Sequence, residues 1–367
     1  MSDKVGGSVP AAAMPYMPRL DGLRAVAVFA VLVEHFAPSS LVRSVSPGGA
    51  GVELFFVLSG YLITRLLFEY GDQKIGVAAA ARHFYWRRLL RLSPPYYLTI
   101  ALTTAAGVTF MHENWWLHAL YLTNVLIGFS GHWGTGGDHF WSLSTEEQFY
   151  LLWFFVVVAL PRRTLVPAIL VTFAVTLVFR SAVYAMSWSP TTTVLLPGNL
   201  AVLTTGALLA YAEKAPSLAW LARAALDKKW LAIFGAIFAG VSLSLSYCDF
   251  PRIVLYPFAA SLFFGCVVLS CGTARRDRAF DWLAWAPLRH IGKISYGIYV
   301  YHLFVREVVN HLPVVGPIAR ASGWAGFVLW CIGSVVAAHL SWRFMEAPIM
   351  RHRDYVPWPT RGPAPAG

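Results

Sequence analysis

The chain has 367 residues, of which 57% are hydrophobic and 13% charged, and its mean hydropathy is +0.57. A soluble domain carries about 25% charged residues, so these values exclude a soluble globular protein, a disordered chain and a disulfide-stapled module, and leave an integral membrane protein. The formal net charge of +11 is explained first by positively charged cytoplasmic loops, so no nucleic-acid partner is expected; the four cysteines form no C-x-x-C pair, which argues against a zinc site or a disulfide framework.

In chain order, residues 1–18 are rich in Gly, Ala and Pro, and 351–367 end in PWPTRGPAPAG. Both read as disordered tails around a membrane domain at 19–350. No cleavable leader is expected, because the first apolar run contains Arg24 and lacks a small-residue cleavage site after it. The apolar runs predict an all-α, polytopic bundle of about ten transmembrane helices, at 20–39, 50–69, 92–110, 141–160, 164–184, 194–212, 230–248, 253–272, 290–310 and 323–345. With the N-terminus in the cytoplasm, 24 of the 29 Lys and Arg residues fall inside and five outside. That bias predicts both termini inside. The run at 115–129 has 15 residues, short for a span, and counting it would invert every later loop. It is expected as an interfacial or re-entrant helix on the outer side. Segments 81–92 and 217–229 read as amphipathic helices on the cytoplasmic surface.

Ionisable groups inside a bilayer are costly and mark functional sites. In the first span, RLDGLRAVAVFAVLVEHF, Arg24 and His35 are eleven residues apart. Eleven steps of about 100° end about 20° past three turns, so the two share one face about 16 Å apart. A snorkelling Arg and an interfacial His are the plainer alternative. Imidazole titrates near neutrality, which makes His35 the natural general base. In the second span, GGAGVELFFVLSGYLITRLL, Glu53 stands at the depth of His35. It can be catalytic, pair with Arg180 or face water. Ser59 and Gly60 suit close helix packing, and Ser59 is also a candidate site residue.

The third region, RHFYWRRLLRLSPPYY, puts Arg88 and Arg91 one turn apart with Arg87 alongside. Guanidinium groups match phosphate bidentately, although topology and anionic lipid would also account for them. The outer segment 111–140 lacks Lys and Arg and holds four histidines, His112, His118, His132 and His139, without a persuasive metal-ligand spacing. It reads as a substrate-facing loop, and no metal is expected. Next comes WSLSTEEQFYLLW, with Ser142, Glu146 and Glu147 as candidates. Ser144 and Glu147 have capping-box spacing for a helix start. The other glutamate would then point into the bundle and orient His35. In GKISYGIYVYHLF, Ser295, Tyr299 and His302 share one helical face. Arg343 and Glu346 close the last span as a helix-end pair.

These segments, together with RFMEAPI and in this order, resemble the acyltransferase-3 family of integral-membrane O-acyltransferases over nearly all of 19–350. The resemblance implies transfer of an acyl group, usually acetyl, from cytoplasmic acyl-CoA to a hydroxyl of an envelope polysaccharide or glycolipid precursor, in a bacterial inner membrane. Macrolides and oligosaccharides are acceptors for some members. Carried over by position, His35 is the essential histidine, Arg24 its partner, and Arg88-x-x-Arg91 the motif linked to acyl-CoA. No cofactor is expected to stay bound, since acyl-CoA is a co-substrate. Some members carry an extracytoplasmic esterase-like domain; none is expected in these residues, which leaves a separate extracytoplasmic partner protein as an option. The competing class is a lipid-linked sugar transporter, whose broken or repeated helices are not seen in this sequence.

Overall fold

The computed structural model describes residues 16–38, 45–245, 247–273, 278–321 and 323–359, and everything below concerns these. The helices are α1 (Pro18–Phe36), α2 (Pro47–Asp72), α3 (Val77–Ala105), α4 (Thr109–Glu113), α5 (Trp115–Ala119), α6 (Thr123–Ser130), α7 (Phe140–Val158), α8 (Leu165–Ala185) and α9 (Leu196–Lys214). They continue as α10 (Ala219–Ala225), α11 (Lys228–Ser244), α12 (Tyr256–Gly272), α13 (Ala286–His311), α14 (Val315–Ala321), α15 (Gly323–Ser341) and α16 (Ala347–Met350). No strand occurs among the described residues. Five helical stretches are long and apolar enough to cross a membrane: Pro47–Asp72, Arg162–Ala185, Pro190–Lys214, Pro251–Gly272 and Gly323–Tyr355. Each of the other five expected spans overlaps a helix of at least 17 residues, namely α1, α3, α7, α11 and α13. Four of these, α1, α3, α7 and α13, carry the charged and polar residues of the site, which lowers their hydropathy.

Helix α2 is the hub and packs against α1, α7, α9 and α12; α13 packs between α1 and α15. The α2–α9 crossing is close because two glycines face backbone. A Cβ on Gly60 would lie 1.7 Å from the Leu203 carbonyl oxygen, and one on Gly206 would lie 2.1 Å from that of Val57. Small residues that let helix backbones meet are the usual device inside a membrane, where apolar burial alone does not favour helix association. Around the crossing lie Phe56, Tyr61, Leu67 and Phe154, all fully buried. By contrast, α8 and α15 turn Leu170, Val178, Val328 and Ile332 outward, a face suited to lipid.

Four expectations change. Segment 81–92 and the third span form one continuous 29-residue helix, α3, with Pro94 and Pro95 inside it. The prolines leave two carbonyls without their helical partner; beside that break the Tyr296 hydroxyl of α13 donates to the Leu92 carbonyl at 2.9 Å. Residues 109–130 form three short helices, none longer than eight residues, so none reaches across a bilayer. Helix α7 starts at Phe140, and Ser144 donates to the Phe140 carbonyl from inside it. The Ser144–Glu147 capping box is therefore not formed. Finally, part of the expected C-terminal tail is ordered: Arg351–Tyr355 is a 3-10 helix and Trp358 packs on Tyr70. An aromatic side chain can anchor a segment whose Pro and Gly content reads as loop. The expected tails at 1–15 and 360–367 lie outside the described residues.

Candidate active site

A cavity of about 1110 Å³ runs through the bundle between α1, α2, α3, α7 and α13. It exceeds the pockets that hold drug-sized ligands. Its wall on α2 extends from Val52 to Gln73, about 30 Å of helix. Arg24, Arg87, Arg88, Arg91, Ser59, Ser142, Glu146, Ser295 and Tyr299 line it. Nine of the thirteen sequence-derived candidates thus meet on one surface; His35, Glu53, Glu147 and His302 do not line it.

One end is basic. Arg24 pairs with Asp21 at 3.2 Å. Arg88 and Arg91, one turn apart on α3, form no ion pair among the described residues; the Arg88 guanidinium lies 4.3 Å from the Tyr150 ring centroid. Arg87 donates to His83 Nε2 at 3.2 Å, while His83 Nδ1 meets the Tyr70 hydroxyl at 2.6 Å. A nitrogen that accepts from a guanidinium cannot carry a proton, so Nδ1 holds the proton and donates to Tyr70. Burial, with Arg87 beside it, pushes the His83 pKa down to about 4. The carboxylates nearby are already engaged: Lys214 reaches Glu69 at 3.0 Å and Asp72 at 2.8 Å, and Arg162 also holds Asp72. The basic end therefore carries excess positive charge that suits a polyanion.

The other end is closed by hydroxyls, with imidazoles packed behind them. Tyr299 donates to the His139 carbonyl at 2.9 Å, and Ser142 donates to the Tyr299 oxygen at 2.6 Å. Behind Tyr299 lies His302, whose ring centroid is 4.9 Å from that of His35 and 4.8 Å from that of His139. His302 Nδ1 donates to the Tyr299 carbonyl at 2.6 Å, and His139 Nε2 donates to the Val300 carbonyl at 3.2 Å. Those bonds leave His302 Nε2 and His139 Nδ1 as bare, buried acceptors. His35, half-buried at the end of α1, makes ring contact with His302.

The carboxylates sit elsewhere. Glu146 accepts from Ser59 at 2.5 Å in the cavity wall. Neither Glu146 nor Glu147 is bonded to His35; the groups touching His35 are imidazole rather than carboxylate. Glu53 is buried with Oε2 unpartnered and forms no ion pair with Arg180, which donates to the Gly198 and Ile253 carbonyls. Arg343, expected to pair with Glu346, does not, because Ser341 donates to Glu346 at 2.7 Å. No group of three or more metal-ligating side chains occurs among the described residues. The sequence did not single out His83, Tyr150, Lys293, Arg353 or Trp358, all of which line the cavity. Trp358 is over 260 residues away from the helices it meets, so no local spacing could mark it.

Comparison with known proteins gives a consistent picture. A family model described as an acyltransferase domain matches residues 17–344. YrhL of Bacillus subtilis is 30% identical over 370 residues, which cover 91% of this chain and 55% of that protein. The peptidoglycan O-acetyltransferase OatA of Listeria monocytogenes is 28% identical, over 92% of this chain and 56% of its own. The O-acetyltransferase OatA of Staphylococcus aureus is 27% identical, over 92% and 57%. The chain thus spans somewhat over half the length of these curated relatives. No solved structure matches it.

Proposed function

The chain belongs to the acyltransferase-3 family, and from that membership we propose that it is a membrane O-acetyltransferase that moves acetyl from acyl-CoA to a hydroxyl of an envelope glycan. The observation that carries the reading is the cavity, basic at one end and closed at the other by Ser142 and Tyr299, with His302 packed behind Tyr299 and in ring contact with His35. In this reading all ten long helices cross the bacterial inner membrane and both termini are cytoplasmic, as the charge bias favours. The basic end then opens to the cytoplasm. Arg87, Arg88 and Arg91 bind the phosphates of the donor, and the thin acyl-bearing arm runs past Arg24 towards His35.

His35 acts as general base. It takes the proton of the acceptor hydroxyl as that oxygen attacks the thioester carbonyl carbon. The new C–O bond forms, the C–S bond breaks, and the departing thiolate recovers the proton from His35. Holding both reactants in one cavity supplies much of the rate by orientation. Glu146, with Glu147 beside it on α7, is the carboxylate that offsets the charge on Arg88 and the imidazolium. A glycan acceptor is supported by the names of three relatives, all O-acetyltransferases and two of them of peptidoglycan.

The test is thiol release from acetyl-CoA by the purified protein in proteoliposomes, with and without peptidoglycan fragments. Acceptor-dependent release is expected. A lipid-linked sugar transporter would give none with any acceptor, and that result would overturn the reading.

A further inference from the structure

Residues 351–359 lie beyond the stretch matched by the family model, yet they form part of the cavity's basic mouth. Arg353, Trp358 and Pro359 line it. The segment is held firmly. Trp358 stacks on Tyr70 with ring centroids 4.9 Å apart and an interplanar angle of 13°, and meets His83 edge-on at 5.0 Å. Its indole N–H donates to Gln73 at 2.7 Å. Further back, the Trp86 indole N–H donates to the His352 carbonyl at 3.3 Å. These contacts join the segment to both helices that build the mouth, α2 and α3. Trp358 stays partly accessible, and Arg353, which lines the same cavity, is exposed, its ion pair being to its own neighbour Asp354 at 3.6 Å.

A partly accessible aromatic ring in a cavity mouth that also holds arginines is the chemistry that takes a purine with attached phosphates: the ring stacks on the base and the guanidinium groups take the charge. We propose that Arg353 and Trp358 complete a nucleotide subsite, so that the C-terminal segment recognises the adenine nucleotide end of the donor. This rests on the reading of the donor as an acyl-CoA. The subsite binds the part of the donor farthest from the chemistry, and it therefore governs donor affinity and leaves the reacting atoms untouched.

The test compares acetyl-CoA with S-acetylpantetheine, which has the same thioester arm but no nucleotide, in wild type and in Trp358→Ala, Trp358→Phe and Arg353→Ala. Trp358→Ala is expected to raise KM for acetyl-CoA by about tenfold, the loss of one base-stacking contact, with kcat unchanged. KM for S-acetylpantetheine should not move, and Trp358→Phe should restore most of the affinity. Equal increases for both donors would show that Trp358 only props up the mouth, and would overturn the subsite. Thermal stabilisation of the protein by adenosine 3′,5′-bisphosphate is measured in parallel. If it is lost in Trp358→Ala while wild type releases no thiol from either donor, the subsite stands and the transfer reading falls. Stabilisation by phosphatidylglycerol but not by the nucleotide would assign the arginines to lipid and overturn the subsite.

Discussion

Arg88 and Arg91, with Arg87, are the cavity arginines that form no ion pair with a carboxylate among the described residues, and Arg88 rests on the face of Tyr150. A hydrogen bond to a charged group contributes about 1.5–3 kcal/mol. Replacing both with Ala is therefore expected to raise KM for acetyl-CoA by at least about tenfold, read from initial rates of thiol release. An unchanged KM would remove them from donor binding. His83 provides a pH prediction. Its pKa is pushed down to about 4 by burial and Arg87, against about 6.5 in the unfolded chain. A histidine with a depressed folded pKa contributes stability that is full above about pH 6.5 and lost as pH falls through about 4. Melting temperature should therefore fall more steeply between pH 6.5 and 4 in wild type than in His83→Gln; parallel curves would contradict this. The arginine motif could be read from the sequence because its members are one turn apart. The bare nitrogens of His302 and His139 could not, since His139 bonds a carbonyl of α13 and the burial of both rings depends on tertiary packing.

At the scale of elements, the α2–α9 crossing is the most exacting contact. At Gly60 a Cβ would meet backbone rather than a yielding side chain. Gly60→Ala is expected to lower stability by about 1–3 kcal/mol or more, as overpacking does, measured as thermal unfolding in detergent. Gly240→Ala on α11, where nothing lies within 4 Å of the new methyl group, should be neutral or gain up to about 1 kcal/mol from helix propensity. If the two variants melted together, the crossing would not be tight. Helix positions were legible because apolar runs set them, and each expected span overlaps a long helix. The start of α7 was misread, because a Ser-x-x-Glu spacing also occurs within helices; here Ser144 satisfies itself on the preceding turn. The join across Pro94 and Pro95 was missed because the Tyr296 hydroxyl beside it comes from a distant segment.

For the whole molecule, a one-sided charge distribution goes with a cavity that is basic at one end and closed at the other by hydroxyls that back onto a cluster of imidazoles. The charge bias was visible in the sequence as a count, and so were most of the cavity's polar residues. That they line one cavity was not, because it depends on how α1, α2, α3, α7 and α13 pack around it. Nor was the part residues 351–359 take in the mouth, which rests on the contacts of Trp358 with Tyr70, Gln73 and His83 and of Trp86 with His352. In the proposed transfer, acetyl enters at the arginine end and moves to the acceptor with His35 as base. To test it, sealed, uniformly oriented proteoliposomes are loaded with peptidoglycan fragments on the side of the histidine end and given acetyl-CoA only on the other. Acetyl esters are expected on the enclosed glycan, with a rate about 10²–10⁴-fold lower for folded His35→Ala, the range for loss of a general base. Ester formation by His35→Ala at the wild-type rate, or transfer only when acetyl-CoA is placed on the glycan side, would contradict it.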